Sequence, residues 1–204
     1  MASKVPFVTY LLILANAIVF FYMIGLNESE LISFINEYGL VPESIMQGEQ
    51  LPTLITSTFI HFDIIHLVSN MLFLLIAGDE CERAMGSVKF LAFYFVSGIG
   101  AGLFHAYMNS TSSIPTIGAS GAIFGVLAAF AILFPFKLVI SFVGFIPVPL
   151  PAIFFVVVSV GLETFYVYTG ANPHVAHTAH IGGFLVGVFL TLLFGPSKRG
   201  EEET

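Results

Sequence analysis

Residues 118 to 125 read GASGAIFG and place one hydroxyl, Ser120, among small residues at the head of the apolar run VLAAFAILF. Two other stretches carry polar groups in apolar company: HFDIIHLVSN, with His66 and Asn70, and AHIGGFLVG, with His180. A serine becomes a nucleophile when a base stands within hydrogen-bond reach and donors face the developing oxyanion. His180 can be the base. His66 and Asn70, spaced i, i+4 and so on one face of a helix, can both donate from their side chains. At the first turn of a helix Ser120 adds its own free backbone N–H and the positive end of the helix dipole, and flanking glycines let a substrate backbone come close. The plainer reading of the octet is packing: Gly121 and Gly125 form a GxxxG pair, which requires no serine. A single buried histidine is likewise more often a hydrogen-bonded structural residue than a base. The decision turns on whether these residues meet.

The elements that would bring them together are membrane spans. With 57% hydrophobic and 9% charged residues among 204 and a mean hydropathy of +0.96, the chain is far from a soluble globular composition. Apolar runs of spanning length lie at 5–26, 64–78, 90–108, 117–134, 148–168 and 176–195. The expected fold is therefore all-α, a compact bundle of six transmembrane helices in a single membrane domain over 1–204, with a short polar tail at 196–204. The second run is short unless it continues through Asp79 to Glu82, and Asp63 is its natural N-cap. Ala15-Asn16-Ala17 resembles a signal-peptidase site, but the apolar run continues without a polar break, so a retained anchor is expected. Cys81 is the only cysteine, which rules out an intramolecular disulfide. No repeat, low-complexity tract or nucleic-acid signature is present.

All six Lys and Arg residues (Lys4, Arg83, Lys89, Lys137, Lys198, Arg199) fall before span one, between two and three, between four and five, or after six. By the positive-inside rule both termini are expected in the cytoplasm. The segment from Asn27 to Gln50 has five glutamates and no Lys or Arg; it belongs outside, and ESELISFINEYGL has the spacing of a short amphipathic helix lying on the interface. At ~1.5 Å of rise per residue, Ser120, His66, Asn70 and His180 then reach a similar level, roughly 5–10 Å below the outer end of the bundle. Polar groups at that depth are costly unless they face the bundle interior or a wet cavity, which makes them functional candidates.

With those three motifs in this order, the chain resembles the rhomboid intramembrane serine proteases over essentially residues 5–195. The resemblance implies a serine endopeptidase that acts on transmembrane segments of other membrane proteins, with Ser120 as nucleophile and His180 as general base. It implies an oxyanion hole of His66, Asn70 and the Ser120 backbone amide, and Phe124 stacked on the catalytic histidine. Gly183 and Gly187 match glycines that pack span six on span four, beside Gly121 and Gly125. Substrates would enter laterally between spans two and five, beneath a cap near Gly170 to Val175. Transmembrane protein substrates and the lipid bilayer are thus the expected partners, with no cofactor, no metal and no nucleic acid; the plasma membrane of a prokaryote is the expected home, since no transit peptide precedes span one.

The pattern departs from the family where Thr53 takes the place of an arginine, where tryptophan is absent, and where Glu82 and Gly86 are kept but Arg83 is shifted by one. Asp79, Glu80 and Glu82 sit a membrane thickness from His180. Asp63 reads as a cap and Glu163 as a partly solvated residue near the gate, so a dyad is expected, with Phe124 orienting the imidazole and turnover slow. Rival classes are weaker. His174, His177 and His180 form H-x-x-H-x-x-H and suggest a metal site or transporter, but no carboxylate pair or repeated half marks an ion path. H-E-x-x-H is missing, and the only aspartates, Asp63 and Asp79, lie at opposite ends of one span. Non-catalytic relatives typically lack the serine or histidine that are both present here.

Overall fold

The computed structural model describes residues 5–143 and 146–194. Lys4, Lys198, Arg199 and the tail 196–204 lie outside the described residues. α1 (Phe7–Met23) buries Val8, Leu12, Asn16 and Phe20 along one stripe and leaves Leu11, Leu14, Ile18 and Phe21 exposed, as a lipid-facing helix does. Its first-turn amides, which no helical carbonyl can reach, are taken by a distant carboxylate: Glu82 accepts from the amides of Val8 (3.0 Å) and Thr9 (2.7 Å) and from the Thr9 hydroxyl (2.8 Å). Ser87 completes the set from 2.6 Å. Glu82 is 2% exposed.

Three short helices follow, α2 (Glu28–Tyr38), α3 (Pro42–Met46) and α4 (Thr53–Thr56), the last running into a 3₁₀ turn at Ser57–Phe59. α2 is the expected amphipathic segment, started by a capping box of Asn27 and Glu30. α5 (Ile64–Phe73) begins where the Asp63 carboxylate accepts the His66 amide at 2.7 Å. It passes through a π turn at Leu74–Gly78 into α6 (Asp79–Met85), giving 22 continuous residues from Ile64 to Met85. The second span is thus longer than its apolar run because the helix carries Asp79, Glu80 and Glu82 to its end.

α7 (Ser87–Met108), α8 (Ser120–Leu133), α9 (Ala152–Thr169) and α10 (His177–Phe194) complete the helices among the described residues. Among the described residues four helices are long and apolar enough to cross a membrane, Ile64–Met85, α7, α9 and α10; α1 and α8 are shorter apolar helices. The protein is a mostly helical polytopic membrane protein. One element was not expected: an antiparallel hairpin of β1 (Leu138–Val143) and β2 (Ile146–Pro151), in register from Leu138↔Pro151 to Val143↔Ile146. Pro147, Pro149 and Pro151 lack amide hydrogens and cannot sit in a helix interior, so α9 starts at Ala152, four residues later than its apolar run. α8 likewise starts at Ser120, three residues later than its run, after Gly118 at φ 124°. Ser120 is therefore the first residue of its helix. α8 forms the centre of the molecule: from Gly121 to Ala131 every residue but Phe124 is buried.

Candidate active site

The approach to Ser120 is shaped by one backbone position. Gly118 has φ 124° and donates its amide to the Ser57 carbonyl at 2.9 Å. A Cβ there would stand 2.9 Å from Nε2 of His66 and 3.7 Å from Oγ of Ser120. Only glycine adopts this conformation without strain, and the ring of His66 and the hydroxyl of Ser120 face the same small volume beside its α-carbon. The first-turn amides of α8 have no intrahelical acceptor.

His180 reaches Ser120 because α8 and α10 touch backbone to backbone. A Cβ on Gly183 would fall on the Gly121 carbonyl oxygen, and one on Gly187 would meet the Gly125 backbone; one on Gly121 would come within 2.8 Å of Cβ of Ala101 and one on Gly125 within 2.6 Å of Oγ of Ser97. With the axes this close, Oγ of Ser120 and Nε2 of His180 lie 2.7 Å apart. Phe124, one turn after Ser120, stacks on the His180 ring at 4.5 Å between centroids and 6° between planes. Behind the pair, His105 on α7 contacts Thr178 (Nδ1, 2.6 Å) and Thr116 (Nε2, 2.9 Å). That network ties α10 to the loop that leads into Ser120. A cavity of about 30 Å³, roomy enough for water, lies against Ser120 and is lined also by Thr58, His105, Gly118 and Ala179.

His66 and Asn70 share one face of α5. Nδ2 of Asn70 donates to the His66 carbonyl at 2.9 Å, using one of its two amide hydrogens. Edge-on to His66, 5.0 Å away, stands His61, fully buried, with neither ring nitrogen hydrogen-bonded among the described residues. Burial, and next the neighbouring His66, push the His61 pKa down to about 4.

The site differs from the sequence expectation at Glu163. Its side chain is only 15% exposed, and Oε2 lies 2.5 Å from Nδ1 of His177 and 3.0 Å from Nδ1 of His180. The sequence motifs do not mark Glu163 or His177 for the serine chemistry. The signal was present as depth, because Glu163 lies six residues before the end of α9 and His180 three residues after the start of α10, hence about 9 and 5 Å from neighbouring helix ends. Donor atoms of Glu163, His177 and His180 all lie within 4.8 Å of one another, a set that could accept a divalent cation; in this arrangement the same atoms face each other. His174 is exposed and outside the cluster.

Fold and geometry together define a polytopic helical membrane protein in which a serine hydroxyl at a helix start contacts a histidine from another helix. The rhomboid domain model matches residues 48–197. The chain is 34% identical over 211 residues to Rhomboid protease AarA of Providencia stuartii, covering 91% of this chain and 72% of that protein. It is 31% identical over 191 residues to RHOMBOID-like protein 12, mitochondrial, of Arabidopsis thaliana, and 29% over 197 residues to Rhomboid protease GluP of Bacillus subtilis. It spans 54% and 36% of the lengths of those two. The chain belongs to the rhomboid family.

Proposed function

We propose that this rhomboid-family membrane protease is a serine endopeptidase that cleaves peptide bonds in or near transmembrane segments of other membrane proteins, with Ser120 as nucleophile and His180 as general base. The 2.7 Å approach of Oγ to Nε2 carries the reading. Ser120 attacks the scissile carbonyl as its proton passes to Nε2, and His180 returns that proton to the leaving amine. A water then repeats the sequence on the acyl-enzyme. The amide of Ser120, the ring of His66 and the side chain of Asn70 stabilise the oxyanion, and Phe124 restrains the imidazole.

Helix length supports a sunken site: α8 has 14 residues, about 21 Å of rise, against a hydrocarbon core of about 30 Å. With its far end at one membrane surface, Ser120 lies well below the other, and the cavity at Ser120 supplies room for water. Substrate entry between α5 and α9 is supported by the weak closure there, where Phe73 stacks on Phe155 at 5.6 Å and α9 buries only Ala152 and Val156. The Lys and Arg distribution supports cytoplasmic termini in a prokaryotic plasma membrane; curated relatives from plants and mitochondria match as well.

The test uses purified protein in liposomes with a transmembrane substrate and, in parallel, a fluorophosphonate probe. Ser120→Ala and His180→Ala are expected to fold and to lose both cleavage and labelling. Asn70→Ala is expected to lower kcat by roughly 10²-fold or less, one donor among several being removed. Cleavage that survives Ser120→Ala, or that a chelator abolishes, overturns the serine reading in favour of metal chemistry at the histidines.

A further inference from the structure

The chemistry above uses Nε2 of His180 and says nothing of its other nitrogen. For Nε2 to accept the Ser120 proton, a neutral ring must carry its hydrogen on Nδ1, a tautomer assigned from the partners of each nitrogen. Nδ1 is buried and makes no well-directed hydrogen bond among the described residues, yet Oε2 of Glu163 is 3.0 Å away. The oxygen lies off the N–H axis, so the contact is an electrostatic approach rather than a linear hydrogen bond, and Coulomb attraction needs no collinearity.

Glu163 is held there by more than His180. Nε2 of His177 contacts the carbonyl of Asn172 at 3.1 Å; carbonyl and carboxylate oxygens only accept, so beside an ionised Glu163 both ring nitrogens of His177 act as donors. Nδ1 of His177 meets the same Oε2 at 2.5 Å. The ring of Tyr166, three residues after Glu163 on the same face of α9, packs on His177 at 4.9 Å. His177 and Tyr166 thus clamp the carboxylate, and His180 lies one turn further along α10.

We propose that Glu163 is a positioning residue for the reaction described above: its carboxylate fixes His180 in the tautomer that leaves Nε2 free and stabilises the imidazolium formed when the Ser120 proton arrives. The inference rests on the Ser120–His180 reading. No proton passes to Glu163. The Ser120 hydrogen moves to Nε2 and on to the leaving amine, Nδ1 keeps its own hydrogen throughout, and the carboxylate ends each cycle as it began. The arrangement supplies the orienter that a bare dyad lacks, with stacking on Phe124 restraining the ring plane and Glu163 choosing which nitrogen is protonated.

The experiment compares wild type, Glu163→Gln, Glu163→Asp and Ser120→Ala, full chain in liposomes, by kcat and KM on a transmembrane peptide, fluorophosphonate labelling rate and thermal midpoint. Glu163→Gln removes the charge and keeps the shape. Its kcat and labelling rate are expected to fall about 10²-fold with KM changed by less than about twofold, a smaller loss than the ~10⁴ for a linearly bonded triad aspartate. Glu163→Asp restores the charge one methylene further away and is expected to recover about tenfold of that loss. A purely structural clamp between α9 and α10 predicts instead a lowered midpoint or raised KM with unchanged kcat, and that result overturns the proposal. So does wild-type kcat in both variants. Should Glu163→Gln not fold, Glu163→Asp alone decides, since wild-type kcat there refutes the role. Ser120→Ala separates the two readings: if it stays active, the serine mechanism fails; if it is dead while both Glu163 variants match wild type, only Glu163 is refuted.

Discussion

Replacing Gly183 by alanine adds one methyl group where α8 and α10 approach most closely. The new Cβ would land on the carbonyl oxygen of Gly121 and 3.4 Å from Cβ of Ala101. The principal obstacle is backbone, so no rotamer change relieves it and the helix axes must part, by about 1 Å or more. Gly121 directly follows Ser120, and Gly183 lies one turn beyond His180; widening the gap at this point opens the 2.7 Å approach of Oγ to Nε2. Overpacking of this kind costs about 1–3 kcal/mol, which a bundle of this size survives, whereas a misplacement of about 1 Å between reacting groups costs about 10²-fold in rate. Gly183→Ala is therefore expected to fold with a lowered midpoint and to lose about two orders of magnitude in kcat and in fluorophosphonate labelling, KM changing little. The control is Gly161→Ala in α9, where a Cβ meets nothing within 4 Å and helix propensity improves by roughly 1 kcal/mol; rate and midpoint should match or exceed wild type. Wild-type cleavage and midpoint in Gly183→Ala would refute the claim that helix separation sets the geometry of the pair.

His61 gives a pH prediction. The folded ring takes a proton only near pH 4 and the unfolded ring near 6.5, so the unfolded state binds more protons between those values. Stability is full above 6.5, falls by about 3 kcal/mol as pH drops toward 4, and levels off below. His61→Leu should lack this part of the acid dependence and lose little at pH 7, because neither ring nitrogen has a hydrogen-bond partner among the described residues; denaturant titrations at several pH values check this, and identical curves for both proteins would sink it. Glu82→Gln offers an amide to groups that all donate, so a loss of about 1–3 kcal/mol is expected for each donor left unpaired. Thermal melts in detergent should show it, and an unchanged midpoint would remove Glu82 as the anchor of α1.

The long apolar runs are legible in the sequence because lipid demands them, and the Asp63 cap because capping is local chemistry. The boundaries of α8 and α9 moved for equally local reasons, Gly118 and the three prolines of β2, which a hydropathy pattern averages away. β2 alternates apolar residues with proline, and its residues 148–151 therefore pass for the start of a span. Depth arithmetic brings Ser120 and His180 to one level, but rise per residue carries no azimuth. Which side of α9 turns inward depends on packing against α10, so the contacts of Glu163 with His177 and His180 are not legible in the sequence. The four donors that converge on Glu82 are hidden for a similar reason, since Val8 and Thr9 are more than seventy residues away in the chain.

The two partners of the 2.7 Å contact are sixty residues apart, one on α8 and the other on α10. A ribosome delivers them in that order. Until α10 follows, Ser120 has no His180 within reach, and the glycine seam has only one of its two sides. On the proposed chemistry, the capacity to cut arises only with the insertion of α10.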